Sequence, residues 1–147
     1  MTTMHFAEIA AAIADLAIAG VKIHDLDDMP DAIDPRRCPV LGPSANDPSF
    51  LTDWESTRVS LGGNRAVAYT LNYKLYQAPV GTERGLFKLY PAMVETAQAI
   101  ADHFNGITVV SGAQHIKLEA LPAFGPVSDA SGQVFHGAVF SLRVTEF

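Results

Sequence analysis

The densest polar cluster in the chain is His24-Asp25-Leu26-Asp27-Asp28. Carboxylates and an imidazole this close together are the donors a divalent cation takes, and a metal so held could activate water for hydrolysis, as in a nuclease. The spacing argues against it. Consecutive side chains of an extended segment point to opposite faces, so His24 and Asp25 diverge. No second acidic motif of matching type follows downstream. A solvated strand exit and a turn fit the residues better. Cys38 follows Arg36 and Arg37, cations of the kind that lower a thiol pKa and favour a nucleophile. That chemistry also needs a base, and nothing in the sequence ties His24, His103, His115 or His136 to the thiol. An anchoring, half-buried cysteine before Pro39-Val40 is the better reading. Ser44, in Gly42-Pro43-Ser44-Ala45, lacks the Gly-x-Ser-x-Gly elbow. Gly62-Gly63-Asn64 opens no helix and is a turn rather than a phosphate loop. The five histidines include no His-x-x-x-His pair, so imidazole metal binding has little support. Tyr69, Tyr73, Tyr76 and Tyr90 with Phe140 are the residue types that line a small-molecule pocket. Alternating aromatics on a sheet face are also what a core demands. Tyr69 and Tyr73 are assigned to the core, and Tyr76 and Tyr90 stay unassigned. The expectation is a chain with no catalytic residue, no metal and no cofactor, hence not an enzyme.

The elements around these residues follow from periodicity. Phe6, Ile9, Ile13, Leu16 and Ala17 recur at three- and four-residue steps, predicting a helix over 3–19 with Thr3 as cap and Gly20 as stop. Its other face is rich in alanine, with Ile18 its one bulky apolar member. Val21 to Leu26 is a short strand candidate. From Asp27 to about Ser56 an irregular arm is expected, because five of the nine prolines (Pro30, Pro35, Pro39, Pro43 and Pro48) interrupt it. Cys38-Pro39-Val40-Leu41 anchors the arm. Asp47-Pro48 fits the start of a short helical turn with Phe50, Leu51 and Trp54 on one side. Ser56–Leu61 and Arg65–Gln77 predict a β-hairpin across Gly62-Gly63-Asn64. Val67, Tyr69, Leu71, Tyr73 and Leu75 alternate cleanly along its second strand. Ala78 to Gly85 reads as a loop. Met93, Ala97, Ile100, Ala101 and Phe104 predict a second helix over Pro91–Phe104, with room for an extra turn before it, and Gly106 ends it. Ile107–Val110 is a brief apolar run and His115–Leu121 a strand. Phe124-Gly-Pro and Asp129–Gly132 read as turns, and Val134–Glu146 as a long final strand. Strands not each followed by a helix argue for an antiparallel sheet. The expected class is α+β: a single domain over 1–147, a mainly antiparallel sheet of about four strands, two helices on one face, and the arm.

Composition narrows the function classes. The 147 residues suit one domain with its own core, and 48% hydrophobic with 18% charged residues is globular, with a charge fraction low enough to suggest surface covered by a partner. The net charge of −6 disfavours a broad nucleic-acid-binding face. Between Asp25 and Glu55, eight acids face only Arg36 and Arg37, so one segment accounts for the whole excess. A single cysteine excludes an intrachain disulfide and suits a reducing compartment. The sequence reads without a signal peptide or a membrane span.

Long strands have edges, and edges invite pairing with another chain; with no catalytic set, this is the profile of an assembly subunit. The pattern resembles the tail-terminator proteins of long-tailed bacteriophages and related neck proteins. The likeness is carried by the alanine-rich opening helix running into Gly20-Val21-Lys22-Ile23-His24-Asp25, then Met29-Pro30 and Cys38-Pro39-Val40-Leu41. It continues through Tyr69-Thr-Leu-Asn-Tyr73, Val80-Gly81-Thr-Glu-Arg-Gly85, the second helix and Phe135–Glu146. It spans nearly the whole chain as a pattern of elements, without a diagnostic motif. The resemblance implies a non-enzymatic virion protein of the tail or neck, assembled in the host bacterial cytoplasm. It implies a homo-oligomeric ring, usually of six, that caps the major tail-tube protein, stops its polymerisation and joins it to the head-side connector. DNA would pass the lumen without specific binding. Asp27, Asp28, Asp31, Arg36, Arg37, Glu83 and Arg84 are the candidate subunit or lumen contacts. The alternatives are a small-molecule-binding or enzymatic α+β-barrel dimer, and another neck, head-completion or tail-tube component.

Overall fold

The computed structural model describes residues 4–45, 49–58, 65–80, 86–107, 114–119 and 123–146. In chain order the elements are helix α1 (Phe6–Ala14), strand β1 (Lys22–Ile23), a 3-10 turn (Pro35–Arg37), β2 (Val40–Pro43), β3 (Leu51–Arg58), β4 (Arg65–Pro79), α2 (Leu86–Gly106), β5 (Gln114–Leu118), β6 (Ala123–Ser128) and β7 (Val134–Glu146). The class is α+β, but the sheet has seven strands rather than about four, and it is mixed. The reason is length. β4 and β7 pair antiparallel along almost their entire extent, from Val67 opposite Glu146 to Pro79 opposite Phe135. Each is long enough to take two shorter partners end to end on its outer side. β3 pairs with residues 65–71 of β4, and β2 with Tyr73–Tyr76. β5 pairs with Leu142–Glu146 of β7, and β6 with Val134–Val139. β1 then adds parallel to β2, which makes the sheet mixed.

The alternation read along β4 is what builds the core. Val67, Tyr69, Leu71, Tyr73 and Leu75 share one face with Ala138, Phe140, Leu142 and Val144 of β7. Both helices cover that face, through Ile9 and Ile13 of α1 and Ala97, Ile100 and Phe104 of α2. The opposite face holds a second, smaller cluster of Ile33, Val40, Tyr76, Val127 and Phe135, with Met29 and Cys38 packed against it. So the stretch from Met29 to Cys38 lies across the far face of the sheet, over its β2–β6 end.

Several expected boundaries move for physical reasons. α1 stops at Ala14 instead of Ala19. In a continuing helix Ile18 would face outward; with the chain unwound it is buried in the main core. The arm is not irregular throughout, because β2 and the start of β3 lie inside it. All four β2 residues are buried, so the strand shows no polar alternation. Its Gly42 is required: a Cβ there would collide with Met29 Sδ. Leu51 and Trp54 belong to a strand, not to the helical turn expected after Asp47-Pro48, and 46–48 lie outside the described residues. The hairpin itself holds, with Arg58 opposite Arg65, but its first strand begins at Leu51 rather than Ser56. Phe124-Gly-Pro is part of β6 rather than a turn. Pro126 is tolerated there because β6 is an edge strand, pairing only with β7. α2 has the extra turn before Pro91. Thr3, 62–64, 108–110 and 120–121 lie outside the described residues.

Candidate functional site

The acidic cluster after β1 is consumed by its own backbone. Asp25 accepts from the Leu26 N–H at 2.7 Å, and Asp28 accepts from the Asp25 N–H at 2.7 Å while standing 3.5 Å from His24 Nδ1. Asx turns of this kind fold a loop rather than converge on an ion. Among the described residues, no group of three or more His, Cys, Asp or Glu side chains is placed to hold a metal. Asp27, Asp28 and Asp31 are exposed. Asp34 caps the 3-10 turn by accepting from the Arg36 N–H at 3.0 Å, with the Arg36 and Arg37 guanidinium groups 3.6 and 3.7 Å from its carboxylate. Those arginine side chains are 93% and 76% exposed, so the pairs add little to stability. Glu83 and Arg84 lie outside the described residues. The structure therefore gathers Asp27, Asp28, Asp31, Arg36 and Arg37 on one exposed segment.

Cys38 is half-buried against the smaller cluster. Burial, and then the Asp34 charge, push its thiol up to about 11. The flanking arginines do not activate it, since both extend into solvent. Tyr69 and Tyr73 are core residues, Tyr76 belongs to the smaller cluster, and Tyr90 is exposed with its ring 5.9 Å from Phe124.

Three buried polar centres escape a reading of the sequence. Asp129 accepts from the Ile33 N–H (2.9 Å), the Gln133 N–H (2.9 Å), the Ser131 N–H (3.1 Å) and the Ser131 hydroxyl (2.6 Å). Burial works to raise its pKa, but these hydrogen bonds outweigh it and hold the carboxyl below its usual range. With the Ser131 N–H donating to the Asp31 carbonyl at 2.9 Å, Asp129 ties the arm to the β6–β7 turn. The sequence signal was Asp129-Ala-Ser-Gly132, an Asx-turn composition.

Glu146, 1% exposed, accepts from Tyr69 Oη at 2.7 Å and the His5 N–H at 3.2 Å, and its carboxylate pairs with His5 Nδ1. Burial, then this hydrogen bond, then the charges of Glu146 and Glu8 drive the Tyr69 phenol far above its ordinary range. Tyr69 stays protonated and donates. The arrangement straps the start of α1 to the last strand. Its signal was an acid in register with the apolar face Phe140, Leu142 and Val144. Asn72 sits where β2 ends and β3 begins; its Nδ2 donates to the Ser49 carbonyl and Thr52 Oγ1, and its Oδ1 accepts from Ser141.

What remains on the surface is concentrated on β3, which pairs on one side only, with β4, among the described residues. Two of its residues, Asp53 and Trp54, oppose the single Tyr69, between the pairs Thr52–Thr70 and Glu55–Ala68. That is a β-bulge, with Asp53 at φ 55°. It turns Trp54 onto the helical face, where the indole stacks on Tyr69 at 6.1 Å and meets Phe6 edge-on at 6.3 Å. It also aims the Asp53 carbonyl at Arg143, whose Nη1 donates to it at 2.8 Å while Nη2 pairs with Glu55 at 3.0 Å. Trp54 remains 55% exposed. Among the described residues, no helix is long and apolar enough to cross a membrane. In comparison with known proteins, no family model matches the chain and no curated protein matches it.

Proposed function

We propose that this chain is a non-enzymatic structural subunit of a bacteriophage virion, of the tail-terminator kind. It forms a homo-oligomeric ring of about six subunits, docks on the last ring of the major tail-tube protein, stops its growth and offers a surface to the head-side connector. It assembles in the host cytoplasm and needs no cofactor.

The observation that carries this reading is the outward side of β3: an eight-residue edge strand, exposed along nearly its whole length, with a tryptophan more than half in solvent. A large aromatic held rigidly on an unpaired edge is the kind of anchor that protein interfaces use. The arm is consistent with the same role. Its acids Asp27, Asp28 and Asp31 point to solvent, and acids facing a lumen would repel DNA and let it slide without specific binding. The ionisable residues that are buried tie segments together instead of meeting at an exposed point.

Mixing the purified chain with growing tail tubes tests the reading. Capped tubes of defined length, with a ring at one end by electron microscopy, are expected. A chain that never associates with tail components, and that is a dimer stabilised by a small ligand in a thermal-shift screen, would sink it.

A further inference from the structure

Two exposed apolar patches lie on opposite flanks of the sheet. The first is the β3 patch: Trp54 and Leu51, beside the half-buried Phe6. Exposed acids Glu8, Asp53 and Glu55 surround it. The second is formed by Tyr90 and Val94, one turn apart on α2, with Phe124 of β6 against the Tyr90 ring. On that same flank β5 exposes His115 and Lys117, while Glu119 is turned back toward Thr70 at 3.4 Å.

We propose that the β3 patch of one copy docks on the α2–β6 patch of a second copy, head to tail. The occupant is a second copy because the two patches complement each other in both senses: each offers exposed aromatic surface, and the acids of one face the bases of the other. Self-pairing of two β3 strands is disfavoured, since it sets Asp53 and Glu55 against their own kind. The bulge at Asp53 also breaks the regular ladder that an added strand needs. Contact is therefore made by side chains, with Trp54 as the anchor. Because the patches differ, every docked pair leaves one of each type free, and the contact propagates until a ring closes. The biological use of this contact rests on the ring proposed above, but the contact itself is a property of the chain alone.

Two single variants and their mixture test it. Trp54→Lys spoils the β3 patch, and Phe124→Glu spoils the α2–β6 patch; both positions are exposed, so thermal melting should stay close to that of the parent. Should Trp54→Lys melt early because its stack on Tyr69 is lost, Leu51→Lys replaces it. By native mass spectrometry and light scattering the parent chain should self-associate. Each variant alone should weaken that association on the order of thirtyfold, as loss of an interface anchor does. An equimolar mixture of the two should recover a one-to-one dimer, each copy supplying its intact patch. A mixture that stays monomeric, a single variant that still assembles, or a parent chain that is monomeric at high concentration each overturns the inference. The outcomes separate from those of the proposed function. Variants that still form rings on tail tubes sink this interface and spare the terminator. A parent chain that assembles through these patches and never caps a tube does the reverse.

Discussion

Asn72→Ala should be among the most costly polar substitutions in the protein, although it removes only three heavy atoms' worth of amide. Asn72 is 3% exposed and lies between the last pair of β2 with β4, Pro43 opposite Tyr73, and the first pair of β3, Leu51 opposite Leu71. Its backbone already serves both neighbours: its carbonyl accepts from Ser44 N–H at 2.9 Å, and its N–H donates to the Phe50 carbonyl at 2.8 Å. The side chain closes the seam, reaching Ser49 O at 2.9 Å, Thr52 Oγ1 at 2.8 Å and Ser141 Oγ at 2.8 Å. Truncation removes three hydrogen bonds of about 0.5–1.5 kcal/mol each. Thr52 and Ser141 are half-buried hydroxyls that can turn toward water, whereas the Ser49 carbonyl is a main-chain acceptor left to find a new donor. A net loss of about 3 kcal/mol follows, or a fall in Tm of roughly 6–12 °C for a domain of this size. Ser141→Ala removes one of the three bonds and should cost about 1 kcal/mol. Urea unfolding of the parent, both single variants and the double variant measures these values, and the cycle isolates the Asn72–Ser141 term. An Asn72→Ala loss no greater than that of Ser141→Ala, with unchanged m-value, would refute the idea that the amide holds the seam.

The two core tyrosines should respond oppositely to loss of the hydroxyl. Tyr73 Oη is buried without a hydrogen-bond partner among the described residues, so Tyr73→Phe should leave stability within about 0.5 kcal/mol or raise it. Tyr69→Phe deprives buried Glu146 of a donor and should cost about 1.5–3 kcal/mol, with altered emission from Trp54, the only tryptophan in the chain. Gly137→Ala should fail to fold or lose more than about 3 kcal/mol, because a Cβ there would overlap the Leu75 carbonyl oxygen where the β4 register shifts after Tyr76; soluble yield and melting report it. The Cys38 thiol, at about 11 in the folded chain against an ordinary value of 9.0, should alkylate slowly at pH 8 and speed up as pH approaches 11. The same shift means that its contribution to stability is complete below pH 9 and is lost as pH rises to 11, a loss that Cys38→Ala should abolish in melting curves across that window. Replacing Asp27, Asp28 and Asp31 together with Asn should leave assembly intact and alter DNA passage; a ring that falls apart would instead put those acids at subunit contacts.

What could be read from the sequence was set by how far each signal extends along the chain. β4, β7 and α2 carry long periodic runs, so their type, and the face they bury, follow directly from Val67 to Leu75, Ala138 to Val144 and Met93 to Phe104. β2 carries no such run: four residues buried on both sides, bracketed by Pro39 and Pro43, look like loop until β4 is there to pair with them. β6 hides behind Gly125 and Pro126, which an edge strand accepts and a central strand would not. Trp54 was placed among apolar neighbours at helical spacing, and only the bulge opposite Tyr69 shows why it leaves the alternation of its own strand. The exposed charges were legible as a group because they are close in sequence. The buried ones were not, because their partners are remote: His5 and Glu146 are 141 residues apart, Ile33 and Asp129 are 96, and Asn72 and Ser141 are 69. No local spacing rule reaches across such distances.

That division has a consequence for how the surface can be probed. The arm is held from beneath, by Met29 and Ile33 in the smaller cluster and by the bonds of Asp129 to Ile33 and of Ser131 to Asp31. Those bonds use the backbone of Ile33 and Asp31, not the Asp31 carboxylate. The groups that the arm presents to solvent, Asp27, Asp31, Arg36 and Arg37, are therefore nearly separable from the groups that hold it. β3 behaves differently, since Trp54 is at once an exposed anchor and a cover for Tyr69, and Glu55 is at once an exposed acid and the partner of Arg143. A change of charge along the arm should alter what the protein meets while leaving its melting temperature in place. On β3, a change at Trp54 or Glu55 should move both together, and only the complementation of two separately spoiled patches can tell a lost contact from a loosened fold.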